Sequence, residues 1–567
     1  MSIPKMAGLE TEYGILMRGM VPSDPFIASQ FLMAGYRSAG GLAVSCQSSS
    51  FSPVEDERDH ILQRIFGTGH VPTFFDHFSL MLPNGARFYI DHAHPEYSTP
   101  ESCSARTLLA ADKAGEMILN RSCQWVNANG NLSPGQEILL YKNNSDHHSN
   151  SYGCHENYLL SASFYEDMLY QHSQRMLETL LPFLVTRTII CGAGKVGAEH
   201  GREPAAFQLS QRADFFERVM ALETTVRRPL FNTRDEPHND PTSYRRLHVI
   251  IGDANMAEYS GFLKIGMTQL VLRLLEDGFM TTSFQLADPV AAMRTVSRDL
   301  SFRMPLLLKS GKRATALEIQ KAYLELAQQY LQQNEHSAEE DEVIALWQEM
   351  LAMLEQTPRK LAKSLDWAIK KQLLEYYLAD QKTSWKTTLR WQPVIEQTLD
   401  VPPEEDPLSF LEAHDARRAT SVKAYIEQHT LSWEHYQQQR TVYFGLRRID
   451  LDYHALGERI DDEPQGLYYR LLRSGGIQRL LTNEEIATRI RQPPSDTRAW
   501  LRGQWIQRFA PFLVSADWDY LHFQIGPEHF YHDLPTPFDG SEQSYHDQYQ
   551  HITDIVALRN FLFLKKS

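Results

Sequence analysis

The sequence predicts an α+β fold: a curved antiparallel sheet packed with helices, followed by a small C-terminal domain. Three observations carry this. Several separated stretches alternate polar and apolar side chains with the period of two that marks a half-buried strand. Apolar residues at helical spacing dominate from about 279 to 438. From about Gln439 the pattern turns mixed again, so the expected division is a large domain over 1–438 and a smaller one over 439–567.

With 567 residues, 42% hydrophobic and 22% charged, the chain can build a large core. Nowhere do about 18 apolar residues follow one another, and the N-terminus lacks a basic region before an apolar run, so neither a membrane span nor a signal peptide is indicated. A cytoplasmic protein is expected. The net charge of -15 disfavours a general nucleic-acid or anionic-membrane binder. Five scattered cysteines without C-x-x-C pairs argue against both a disulfide framework and a zinc site.

The first strand is expected over residues 7–16. Glu10 and Glu12 share one face, and Leu9, Thr11, Tyr13 and Ile15 the other. Two carboxylates side by side raise each other's pKa unless a cation neutralises them, and hard oxygen donors of this kind suit Mg²⁺. A solvated strand face is the plainer alternative. Residues 22–75 read as a long connection with some helix, positioned to act as a lid. Asn84-Gly85 then makes a tight turn into a strand with Arg87, Tyr89 and Asp91 on one face and Phe88 and Ile90 on the other. Pro95 cannot donate to a ladder, so the strand is expected to end near Ala93, leaving His94, Glu96 and Tyr97 on a loop.

A helix follows over 106–120. Residues 138–144 and 151–159 then read as the two arms of a hairpin-like unit, the second carrying His155 and Asn157 on one face and Glu156 on the other. A helix is expected around 168–180, and Gly192-Ala193-Gly194-Lys195 is a glycine turn that matches no phosphate-loop pattern. Residues 207–212 alternate, placing Gln208, Ser210 and Arg212 together. After a predicted helix, residues 232–238 form a polar loop carrying Arg234. A strand over 244–255 follows, with Arg246 and His248 on its polar face. A helix over about 260–277 ends at Gly278, and helical segments fill 317–331, 343–354 and 361–377.

A single curved sheet would gather these polar faces into one concave surface, carboxylates at one end and arginines at the other. Carboxylates that hold Mg²⁺ and arginines that stabilise developing charge are what phosphoryl transfer or nucleotide-assisted acyl chemistry requires.

The stretches Gly8–Gly14, Asn84–Thr99, Lys142–Leu159, Gln208–Asp214, Asn232–His238, Arg245–Glu258 and Lys363–Leu374 together resemble the Pup ligase and Pup deamidase/depupylase family. These enzymes are relatives of glutamine synthetase that attach or remove a small ubiquitin-like modifier, Pup. Weaker similarity runs through Leu446–His454, Pro493–Gly503 and Trp518. The resemblance implies a glutamine-synthetase-like sheet cradle, with the C-terminal domain completing a site for ATP (or ADP plus phosphate) and Mg²⁺. It implies that Glu10, Glu12, Tyr89 and Glu96 lie at the metal, that Arg87, Thr99 and Trp518 contact the nucleotide, and that Asp91 is catalytic. His155, Arg212, Arg234, Arg246 and His248 are candidates for phosphate or substrate contacts.

Asp91-His92-Ala93-His94-Pro95-Glu96-Tyr97-Ser98 resembles the depupylase loop, since the ligases have one more residue before His-Pro-Glu-Tyr. Asn150–Glu156 and Cys191–Lys195 are more ligase-like. Hydrolysis of the amide or isopeptide bond at the C-terminal residue of Pup is the reading favoured, with Pup and its protein conjugates as partners. An ATP-consuming ligase and a non-catalytic binder of Pup-like tails are the alternatives.

Overall fold

Seven strands, antiparallel throughout, form the predicted sheet in a computed structural model that describes residues 2–21, 23–46, 79–130, 132–147, 149–171, 173–222, 227–236, 238–280, 282–402, 404–457 and 466–566. In chain order the strands that matter are β1 (Ala7–Glu12), β2 (Gly14–Arg18), β3 (Val44–Ser45), β4 (Ser79–Met81), β5 (Arg87–Asp91), β6 (His94–Ser98), β7 (Glu137–Tyr141), β8 (Cys154–Ser161) and β9 (Tyr244–Val249). The sheet runs β9-β8-β1-β6-β5-β4-β3. Its register lines up the polar faces: Glu10 stands opposite Ser98 and His155, Glu12 opposite Glu96, and Tyr89 opposite Glu96. The other face is core. Leu9, Tyr158, Leu160, Leu247 and Val249 pack with Leu108 and Phe262, while Phe88 and Tyr97 pack with Ile118 and Leu119.

Two long helices behind the sheet, Ala105–Asn129 and Glu258–Glu276, follow the predicted apolar spacing. Gly115 in the first is required by close approach, since a Cβ there would lie 2.4 Å from the Tyr97 ring. The predicted segments at 317–331 and 343–354 are the helices Ala316–Gln333 and Ala338–Gln356, each opened by a capping box. A third core gathers Leu501, Trp505, Phe523 and Phe530 near the C-terminus and reaches Val44, Cys46 and Met81 at the sheet edge. The helix Tyr436–Tyr453 runs across position 438 and puts Tyr443 and Leu446 in the first core.

Several sequence expectations are corrected. The first strand breaks at Tyr13: β1 stays in the large sheet, while β2 crosses to a second sheet with β7 and Ala455–Leu456. Gly14 permits this, because a Cβ there would lie 2.5 Å from the Tyr152 hydroxyl. It follows that β7 and β8 do not form a hairpin; they belong to different sheets. The strand at Arg87 does not end in a loop. His92 (φ 43°) and Ala93 (φ 80°) make a two-residue turn with both centres in the left-handed region, and β6 returns beside β5. Pro95 is tolerated because its own carbonyl accepts from the Tyr13 N–H at 2.9 Å, while the Tyr13 carbonyl that its missing N–H would face has the His94 Nδ1 at 3.1 Å.

Of residues 207–212 only Phe207–Gln208 is strand, and the described residues of 213–232 hold a 3₁₀ turn and two short strands instead of a helix. The stretch around 168–180 is helical but contains two π-turn segments. The strand at 244 ends at Val249. The proposed lid at 22–75 lies partly outside the described residues. Within the described part is the helix Pro25–Ser38, whose Asp24 cap accepts from the Phe26 N–H at 2.9 Å.

On the core face of β8 the Glu156 carboxylate is fully buried and meets both terminal nitrogens of Arg187, one at 2.8 Å, with the Tyr158 hydroxyl donating to it at 2.7 Å. Removing one partner strands a buried charge. Arg187→Met is expected to cost about 3–5 kcal/mol in denaturant unfolding, and Arg187→Met with Glu156→Gln is expected to recover part of that loss.

Candidate active site

The concave face of the sheet forms the floor of a cleft of about 1180 Å³. All thirteen predicted site residues line it: Glu10, Glu12, Arg87, Tyr89, Asp91, Glu96, Thr99, His155, Arg212, Arg234, Arg246, His248 and Trp518. Strand alternation accounts for most of this, because every second residue of β1, β5, β6, β8 and β9 points the same way. Gln208 and Ser210, grouped with Arg212 in the sequence, instead bond Asp214 and Asp253 beneath the surface.

The carboxylates fall into two groups. Glu12, Asp91 and Glu96 bring one ligand oxygen each to within 4.8 Å of one another, and Glu10 does the same with nitrogens of His155 and His248. The arginines are not at the far end, as the sequence reading had them; they interleave with the acids. Arg246 lies 3.5 Å from Glu10 and donates to Asn157 at 3.0 Å. Burial alone would raise the Glu10 carboxyl, but the hydrogen bond from His155 and the charge of Arg246 outweigh it and hold Glu10 well below the usual range.

Glu96 is in the opposite situation. It is pushed well above the usual carboxyl range by burial and then by the nearby charges of Glu12, Glu10 and Asp91. Its Oε1 accepts from the Tyr89 hydroxyl, and burial together with Glu96 keeps that phenol protonated. The Gly153 N–H donates to Glu12 at 2.8 Å. Three oxygen donors gathered with too little positive charge fit a divalent cation such as Mg²⁺. Orphaned polar atoms, among them Nε of Arg212, Nε of Arg246 and Nε2 of His248, also belong to residues of this lining. The imidazole of His248 is kept neutral by burial and by its neighbour His155.

Asp91 stands at the end of β5, with the His92 Nδ1 3.0 Å from its Oδ2; the hydrogen bond to Asp91 raises the His92 pKa. Arg87 donates to Ser79 at 2.9 Å and lies 4.2 Å from the Tyr89 ring centroid. The Thr99 hydroxyl accepts from the Leu9 N–H at 3.0 Å, leaving its own hydrogen available. Arg234 is half-exposed and paired with Glu236. The sequence reading missed Arg228, which donates to the Ser151 carbonyl at 2.7 Å and is brought down to about 9 by burial and the nearby Arg212. It lay in the stretch misread as helix. Glu101, Arg498 and the ring of Tyr152, stacked 4.5 Å from His94, were missed as well. Glu101 flanks a motif, and Tyr152 and Arg498 each lie inside one.

A concave antiparallel sheet lined by carboxylates, guanidiniums and a partly exposed aspartate has the make-up of an enzyme's site and agrees with the glutamine-synthetase-like class that the sequence resemblance implies. A family model described as Pup-ligase protein matches residues 5–427 and 391–522, and the chain belongs to this family. It is 36% identical over 540 residues to a depupylase of Acidothermus cellulolyticus, covering 94% of this chain and 93% of the relative. It is 33% identical over 549 residues to a Pup deamidase/depupylase of Mycolicibacterium smegmatis, covering 95% of each. A Pup–protein ligase of Mycobacterium bovis is 34% identical over 482 residues, 84% of this chain and 89% of the ligase. Among solved structures, the ligase PafA in complex with Pup matches with a TM-score of 0.70 at 27% identity, covering 99% and 94% of the two chains. PafA with ADP matches at 0.66 and 30% identity, covering 90% and 97%.

The raised Glu96 pKa has a definite sign. The folded metal-free protein keeps a proton that the unfolded chain loses near pH 4.3, so stability falls as pH rises beyond that point. Glu96→Gln is expected to raise the melting temperature of the metal-free protein, by a margin that grows from pH 5 to pH 8. The same substitution is expected to shrink the rise that added Mg²⁺ gives the wild type. Equal melting curves at pH 8 would count against the assignment.

Proposed function

We propose that this chain is an ATP- and Mg²⁺-dependent hydrolase of the depupylase/deamidase type. It cuts the side-chain amide or isopeptide bond at the C-terminal residue of Pup or a related small ubiquitin-like modifier. The observation that carries the reading is the Asp91–His94 turn. These two residues pair directly across His92-Ala93, a two-residue connection that matches the depupylase spacing and is one residue shorter than the ligase loop. Sequence coverage points the same way: the depupylase relatives align over 94–95% of the chain and the ligase sequence over 84%. A cytoplasmic location is part of this reading.

In this account Glu10, Glu12 and Glu96 hold Mg²⁺, and Tyr89 aligns Glu96 through its phenol. Arg87 and Thr99 contact the nucleotide, and Trp518, from the small domain assigned to 439–567, packs against it. Bound Mg²⁺ supplies the charge that offsets these carboxylates and the nucleotide phosphates. Asp91 attacks the amide carbon or takes a proton from water, and His155, Arg212, Arg234, Arg246 and His248 face the oxygens of phosphate or substrate carboxylate. The C–N bond breaks, water is added, and a carboxylate and a free amine leave. The ligase-like segment around Tyr152, packed on His94 beside the same turn, favours a second reading as an ATP-consuming ligase.

The test incubates the protein with ATP and Mg²⁺, once with a Pup–protein conjugate and once with free Pup plus target. Conjugate is expected to disappear in the first reaction without one ADP released per bond, and Asp91→Asn is expected to lose at least about 100-fold in rate, the size of a positioned acid–base group. New conjugate with one ADP per bond in the second reaction would transfer the assignment to the ligase. Unchanged behaviour of Asp91→Asn would point to a binding module.

A further inference from the structure

Arg502 is completely buried, belongs to the helix Ala499–Phe509, and does not line the cleft. Its guanidinium nevertheless reaches three chain segments that lead into it. One terminal nitrogen donates to the Gly85 carbonyl at 2.9 Å, two residues before Arg87. Both terminal nitrogens donate to the carboxylate of Glu101, two residues after Thr99. The other also donates to the Trp518 carbonyl at 2.9 Å, and the guanidinium lies 5.0 Å from the centroid of that indole. Each residue assigned to the nucleotide is thus within two positions of an Arg502 contact.

The anchor is strong. Burial alone would raise the Glu101 carboxyl, yet Arg502, and Arg498 at 3.1 Å, bring it down to about 2, so the carboxylate stays ionised. A bidentate guanidinium–carboxylate pair fixes orientation as well as charge, and a lysine cannot reproduce the fork. A fully buried arginine with partners on the connections flanking β5 and β6 and on the C-terminal unit therefore sets the distance between them.

We infer that Arg502, held by Glu101, is the positioning residue of the nucleotide site, locking Trp518 of the C-terminal unit at a fixed distance from the segments that carry Arg87 and Thr99. The inference rests on the functional reading above for the assignment of those three residues. It makes Arg502 act through Trp518, without touching the nucleotide itself.

A double-mutant cycle read by ATP affinity in calorimetry separates positioning from mere support of the fold. Arg502→Lys is expected to weaken Mg²⁺–ATP binding about tenfold, and Trp518→Ala by a similar factor. In the Trp518→Ala background Arg502→Lys should change affinity less than about twofold, because the group it positions is gone. At saturating ATP the rate of conjugate cleavage should stay within about twofold of the wild type for Arg502→Lys, so the loss appears in KM for ATP and not in kcat. Glu101→Gln, which keeps the shape and an acceptor, is a second variant should the lysine protein fold poorly; it is expected to lose affinity in the same direction but less. Additive losses in the cycle, or an Arg502→Lys protein with wild-type ATP affinity, would overturn the positioning role. Wild-type protein that binds no ATP would overturn the functional reading itself.

Discussion

The pairing of β1 between β6 and β8 is the constraint on which the site depends. Glu10 and Glu12 reach the cleft because this one strand alternates, and they meet Glu96 and His155 because of its register with both neighbours. A one-residue slip of β1 would send both carboxylates into the core and turn Leu9 toward water. Leu9 is 3% exposed among apolar neighbours, so the hydrophobic face enforces the polar one. The packing that stabilises the sheet and the geometry that gathers the acids are two sides of the same strand.

The two carboxylate groups on that floor are balanced differently. Glu10 is compensated within the protein by Arg246 and His155, and its pKa falls. Glu96 is surrounded by Glu12, Glu10 and Asp91, and its pKa rises. Uneven compensation of this kind is a destabilising arrangement for a bare fold and a suitable one for a cation, since a bound ion recovers what the metal-free protein gives up. The tight turn at His92-Ala93 belongs to the same economy of space: two non-glycine residues at positive φ keep Asp91 and Glu96 on adjacent strands facing one cleft.

Much of this was legible in the sequence because strand alternation reports faces directly. Arg87, Tyr89 and Asp91 on one side of a strand, and His155 and Asn157 opposite Glu156, needed only a period of two. What alternation cannot report is where a strand stops and which strand it meets. The break at Tyr13 depends on Gly14 passing close to Tyr152, some 140 residues away, and the return of β6 through Pro95 depends on a side chain, His94, taking the place of a backbone donor. Arg228 and Glu101 were missed for a related reason: their contacts are with distant segments and carry no local periodicity. Strand faces gathered nine of the thirteen cleft residues, and the family resemblance added Glu96, Thr99, Arg234 and Trp518, which periodicity alone would have left as scattered polar positions.

The central claim is that carboxylates from β1 and from the β5–β6 hairpin converge on one cation. Calorimetric Mn²⁺ titration of the wild type, Glu12→Gln, Glu96→Gln and the double variant tests it most directly. If both residues serve one ion, losing either should cost nearly as much affinity as losing both, a strongly non-additive cycle. Losses that simply add, or Mn²⁺ binding indifferent to both substitutions, would show that the two carboxylates do not share an ion.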